Sequence, residues 1–196
     1  MADKPILFNG PLVKVLTVYQ PWASLIIMGA KPYEFRRWDY SKRFPSYVGS
    51  QIAIHASARM PREDEVADIL QRIQDDVSQL NPEIAAPALE RMLNRLERIR
   101  ELGRRPSQRR ICDRVQWERD REHIGPVATL SAVLGTAVIG KPVMASELFD
   151  QPANDSYRMD HSMWAWPLTD IQAFDEPVPA RGAQGFWNWS RGDNQS

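Results

Sequence analysis

The sequence predicts an α+β fold, on three observations. Apolar, β-branched runs open the chain at Leu12–Val18 and Gln51–Ser57 and return at Val127–Val143. Two amphipathic helical segments fill the middle. Strands thus come first and last, without the regular strand–helix alternation of a parallel α/β sheet. At 196 residues the chain can form one domain with a sizeable core, or one domain carrying an insertion.

Leu12–Val18 (LVKVLTV) reads as the first strand. Pro21 then stands at a helix start, and Gly29 where a chain leaves a helix in the left-handed region, so QPWASLIIMGA reads as a helix of about two turns. Such a short helix needs a sheet to pack on. Pro32 bars its continuation, and Lys31–Trp38 (KPYEFRRW) reads as extended. In QIAIHAS, alternation puts Ile52, Ile54 and Ala56 on one face and Ala53, His55 and Ser57 on the other.

From Pro61 the period changes. Arg62–Leu80 carries Val66, Ile69, Leu70, Ile73 and Val77 at helical spacing; Asn81-Pro82-Glu83 interrupts it. Pro87–Leu102 carries Leu89, Met92, Leu93, Leu96 and Ile99, with Gly103 as its stop. The two make a helical hairpin. Glu63–Leu89 holds seven acids and one base, and Glu90–Glu122 eleven bases and seven acids, so the arms are expected to pair with each other. Ala132–Ile139 is the best strand in the chain, followed by aromatic clusters among prolines, HSMWAWPL and EPVPARGAQGFWNW.

Composition narrows the class. A hydrophobic fraction of 43% with seven tryptophans fits a globular chain rather than a disordered one. The single cysteine, Cys112, excludes an internal disulfide and fits a reducing compartment. Met1-Ala-Asp-Lys-Pro lacks a signal peptide's basic start and apolar run, and no apolar stretch approaches the roughly 18 residues that span a bilayer, so a cytoplasmic protein without membrane attachment is expected. Formal net charge is zero, which removes any global pull toward nucleic acid. Twenty of the twenty-five bases are arginines, suited to bidentate phosphate or base recognition and equally to surface ion pairs. Histidines at 55, 123 and 161 give no zinc spacing, and there is no phosphate-cradling glycine loop; no metal or cofactor is expected.

Four motifs in order now carry a resemblance. Gly29, Lys31, Glu34 and Arg36 fill every fixed position of G-x-K-x-x-E-x-R, just after a strand and Gln20-Pro21-Trp22-Ala23. Gly49 precedes IAIHAS, Leu134-Gly-Thr-Ala-Val forms a later strand, and Pro179-Ala-Arg-Gly-Ala-Gln-Gly-Phe-Trp closes the set. In these features the chain resembles the ASCH family of PUA-like β-barrels. The resemblance implies a small β-barrel with a short helix packed on it, formed by 12–58 and 124–190 as one domain over 12–190. The helical hairpin is then an insertion over 59–123, with flexible termini at 1–11 and 191–196. Long surface insertions cost little closure entropy, so the barrel tolerates it.

The signature poses a geometric question. Glu34 and Arg36 share a face of a regular strand, whereas Lys31 falls on the other by parity unless the chain bends at Pro32. If the three meet, two outcomes are open: an ion-pair network bracing the barrel mouth, or a site in which Lys31 acts as general base and Glu34 exchanges a proton or orients water. Trp22 is the aromatic suited to stack a ligand, although it is also large enough for the core, as are Trp38 and Trp187. Ser24 is a helix cap, a ligand contact or a solvent-facing hydroxyl. His55 and Ser57 are polar contacts if their face lines the cleft, and ordinary half-buried residues otherwise.

The resemblance implies RNA-related binding. Trp22 would stack a base while Lys31, Arg36 and Arg37 engage phosphate or base edges of single-stranded or structured RNA, or of a small nucleotide-like ligand. Arg104, Arg105, Arg109 and Arg110 would extend that contact. A second reading is a small hydrolase, a ribonuclease or an amidohydrolase on an acylated nucleoside, with Lys31 as base and Glu34 as partner. The compact amidohydrolase branch carries threonine where Glu34 stands and lacks the hairpin. A third is an interaction protein whose 62–103 hairpin forms a homodimer.

Overall fold

The computed structural model describes residues 12–75, 78–101, 129–150 and 163–190. Seven strands form one sheet: β1 (Val13–Val18), β2 (Tyr33–Arg36), β3 (Ser50–Ala56), β4 (Ala132–Ile139), β5 (Val143–Met144), β6 (Trp164–Pro179) and β7 (Phe186–Trp189). Their order is β2-β6-β4-β3-β1-β7, with β5 beside β6. Helices α1 (Trp22–Ile27), α2 (Glu63–Gln74), α3 (Pro82–Glu101) and the single turn α4 (Ala145–Leu148) complete an α+β fold. The β1–β3 pair is parallel and needs a crossover, which α1 and β2 supply; the other pairs are antiparallel.

The ladder is not closed into a barrel. β2 and β7 end the strand order, and no pairing joins them among the described residues. The reason is local. After Arg36 the chain enters two 3-10 turns, Tyr40–Lys42 and Pro45–Tyr47, and their rings occupy the gap that a ladder would need. Tyr40, Phe44 and Tyr47 all pack on Phe186 of β7, and Phe186 stacks on Trp166 of β6 at 5.8 Å. Arg36 Nη2 also donates to Thr17 O on β1 at 3.0 Å. The sheet therefore curls until its edges meet through side chains rather than backbone hydrogen bonds.

Inside the curl lies the main core, where Leu16, Val18, Ile52, Ile54, Leu134 and Trp166 meet Ala23, Ile26 and Ile27 of α1. The expected alternation in β3 holds: Ile52, Ile54 and Ala56 belong to this core, and Ala53 packs with Val15, Val133 and Trp189 on the opposite face. The other side of α1 is not free. Leu25 and Ala30 pack on Val66, Ile69, Ala85, Leu89 and Met92 of the hairpin. The short helix thus lies between the curled sheet and the hairpin, buried from Ala23 to Ile27.

The hairpin differs in detail from its sequence expectation. The first helix ends at Gln74, and the second begins at Pro82 rather than near Pro87. Proline at a first helical position loses no hydrogen bond, and Asn81 Oδ1 accepts from Glu83 N at 3.1 Å to cap that end. Pro87 lies inside the helix, near its start. Arg100 Nη1 meets Glu63 Oε2 at 2.5 Å, one ion pair of the expected kind between basic and acidic arms. Gly103, Cys112, His123, His161, the arginines 104–110 and both termini lie outside the described residues. Among the described residues, no helix is long and apolar enough to cross a membrane.

Candidate functional site

The signature is placed by the end of α1. Gly29 has φ +77°, a conformation that costs glycine little, and it turns the chain so that Ala30 N and Lys31 N both donate to Leu25 O. Lys31 precedes β2, so strand parity does not bind it. Its side chain reaches forward to the strand, where Nζ donates to Tyr33 O and lies 3.4 Å from Glu34 Oε2. The amine therefore lies beside the carboxylate.

Arg36 closes the group from the other side. Its Nε is 2.9 Å from Glu34 Oε1 without the alignment of a hydrogen bond, so this contact is an ion pair, while Nη2 makes the directed bond to Thr17 O. One carboxylate thus lies between two cations. Lys31 is 1% exposed and Glu34 5% exposed, whereas the Arg36 side chain is about one third exposed. Lys31 Nζ also lies 4.7 Å from the centre of the Phe35 ring and 5.6 Å from that of Trp22, within cation–π range.

A cleft opens beside this cluster. It is lined by Lys31, Trp22, Tyr33 and Phe35 from the Gly29–Arg36 side, and by Arg72 and Ser78–Leu80 from the hairpin. Of the ionic group, only Lys31 reaches it; Glu34 and Arg36 lie behind. The space for water centres is about 20 Å³, room for about one or two waters and too little for a nucleoside base. The helical hairpin is therefore part of the candidate site. Asn81 N donates to Ala30 O at 2.8 Å, holding the turn between α2 and α3 against the signature.

The remaining candidates do not join the cleft. Ser24 is fully buried; its Oγ accepts from Gln20 Nε2 at 2.8 Å, and its N–H donates to Gln20 Oε1 at 3.2 Å. The side-chain cap of α1 is therefore Gln20, not Ser24. Ser57 Oγ accepts from Arg59 N at 3.3 Å, and Arg37 is exposed just past β2. His55 faces the opposite side of the sheet. Its Nε2 is 3.0 Å from Ala180 O, so that nitrogen carries the proton, and Nδ1 is 3.3 Å from Thr17 Oγ1. Thr17 Oγ1 in turn accepts from Trp187 Nε1 at 3.0 Å.

Burial pushes the His55 imidazole below its ordinary value of 6.5, opposed in part by the Ala180 bond. The unfolded chain then binds this proton more readily than the folded one. Stability from this group is complete above pH 6.5 and falls as pH drops toward the lowered folded value. Denaturant unfolding at about pH 7.5 and about pH 5.5 is expected to show a loss in the wild type that is smaller in His55→Gln. Equal losses would refute a buried neutral His55.

No family model and no curated protein matches this chain. The reading of the site therefore rests on its own geometry. Tyr33 and Phe35 line the cleft from the variable positions of the motif, while Arg72 and Gln79 were not legible as site residues, because their places follow from how the hairpin docks on α1.

Proposed function

We propose that this is an ASCH-like protein, its curled sheet a barrel relative with the ladder left open, that binds RNA or a nucleotide-derived ligand at the Lys31 cleft. One observation carries the reading: a buried ammonium, paired with Glu34 and flanked by Trp22 and Phe35, borders the cleft. Desolvating an ion pair can cost more than the pairing returns, so a buried ionic group at the edge of an opening is a functional-site candidate. The space suits a small polar group, such as a phosphate or carbonyl oxygen, with the rest of the ligand outside.

Binding fits the geometry better than hydrolysis does. The lysine directs its protons at Tyr33 O and Glu34, as a cation held in place rather than a base poised to accept a proton. The dimer reading has less support, because the apolar stripe of the hairpin already covers α1.

The test measures binding of cytidine monophosphate by calorimetry and of a single-stranded RNA of about ten nucleotides by anisotropy. Lys31→Met is expected to weaken mononucleotide binding by about tenfold or more, the scale of a lost charge-assisted hydrogen bond. No binding of either ligand by the wild type would refute the proposal. Turnover of RNA or of an acylated cytidine, abolished in Lys31→Met while binding persists, would replace it with the hydrolase reading.

A further inference from the structure

We propose that single-stranded nucleic acid lies across the outward side of the aromatic plug, with a base stacked on Trp38 and phosphates on Arg37, Lys42 and Arg43. This rests on the nucleic-acid reading above and adds the surface that holds the strand, because the Lys31 cleft has no room for a base.

Three observations converge on this surface. Arg36–Val48 carries four bases and one acid in a chain of zero net charge. The acid, Asp39, is engaged internally: its Oδ1 accepts from Ser41 N at 2.9 Å and from Ser41 Oγ at 2.6 Å. With Arg36 paired to Glu34, Arg37, Lys42 and Arg43 still exceed Asp39 by two charges, so the local field is positive, which favours a polyanion.

Trp38 is 39% exposed and yet firmly seated, packing edge-on against buried Trp166 at 5.3 Å and against Phe44 at 6.4 Å. An exposed ring fixed by buried neighbours is ready to stack without ordering itself first. Cations flank the same cluster: Arg43 lies 5.3 Å from the Phe44 ring centre, Lys42 5.4 Å from that of Trp164, and Lys14 5.5 Å from that of Tyr47. Stacking on an exposed ring needs an unpaired base, so the partner is a single strand and not a duplex.

The aromatic cluster is linked to the ionic group through the interior. Arg36 pairs with Glu34 and also lies 5.9 Å from the ring centre of Trp166, on which Trp38 packs.

The experiment follows anisotropy of a labelled single-stranded RNA of about ten nucleotides, with the fold of each variant checked by thermal melting. Trp38→Ala is expected to lower RNA affinity by roughly 5- to 100-fold, the range of one lost stacking contact. Lys42→Gln with Arg43→Gln is expected to flatten the salt dependence of log affinity by about 1.4, the share of two phosphate contacts to a single strand. Both side chains of the second variant are exposed, so it decides the matter if Trp38→Ala folds poorly. Unchanged salt dependence in that variant overturns the proposal, as does unchanged affinity in a folded Trp38→Ala. Cytidine monophosphate binding, lost in Lys31→Met, reports on the cleft separately. If it persists while both surface variants bind RNA normally, the cleft reading stands and this one falls. An RNA-binding loss confined to the surface variants leaves this proposal standing without the cleft.

Discussion

Glu34→Gln is expected to destabilise the protein by about 3–5 kcal/mol, the cost of removing one partner from a buried ion pair. The variant keeps the shape of the side chain and removes only its charge. Lys31 would remain almost fully buried with its countercharge gone, and Arg36 would lose the negative charge that it approaches to 2.9 Å. Part of the charge would still be met by Tyr33 O and by the Phe35 and Trp22 faces, which places the effect toward the lower end. At about 2–4 °C per kcal/mol for a chain of this size, the melting temperature should fall by at least 6 °C or so. Adding Lys31→Met to Glu34→Gln should recover much of the loss, because the uncompensated charge leaves with it. Denaturant titration of the two singles and the double measures the coupling. A double variant no better than Glu34→Gln would mean that the carboxylate matters for something other than the lysine.

Gly135→Ala is expected to be about as damaging, at about 3 kcal/mol or more. Gly135 lies in β4 opposite Ala173 of β6, with register shifts on either side. A Cβ there would meet Gln172 O at 2.3 Å and Ala173 Cα at 3.0 Å, both backbone atoms. No rotamer relieves that contact, so β4 and β6 must separate at the centre of the sheet, where β4 is buried along nearly its whole length. Thermal melting checks it. A variant within about 1 kcal/mol of the wild type would show that the two strands part easily there.

Gly135 also shows what the sequence makes legible. A glycine inside the strongest strand signals a bulge or a close backbone approach, and both are present. The faces of β3, the short helix ended by Gly29 and the hairpin stripe were readable for the same reason: period and backbone conformation are local properties. What failed was non-local. Alternation put His55 and Ser57 together on one face of β3 but said nothing of which face met the cleft, and His55 turned out to face Thr17, Ala180 and Gly182. The open ladder was not legible because Tyr40 and Tyr47 lie in short 3-10 turns and Phe44 between them, with no period to read. The hairpin's stripe announced a buried face without naming its cover, so the cleft made by Arg72 and Leu80 against Lys31 had no signal at all. Pro82 looked like a break because proline is both a helix breaker and a favoured first residue, and only Asn81 ahead of it distinguishes the two.

The most direct measurement follows the side-chain nitrogen resonance of Lys31, assigned by its loss in Lys31→Met, in lysine-labelled protein titrated with cytidine monophosphate and with single-stranded RNA. A ligand oxygen arriving at the buried ammonium should move that signal along a saturable curve matching the calorimetric affinity, while Lys141, remote in sequence and exposed, stays still. Saturated binding with the Lys31 resonance unmoved would mean that the buried charge only holds the sheet together and that the ligand binds elsewhere.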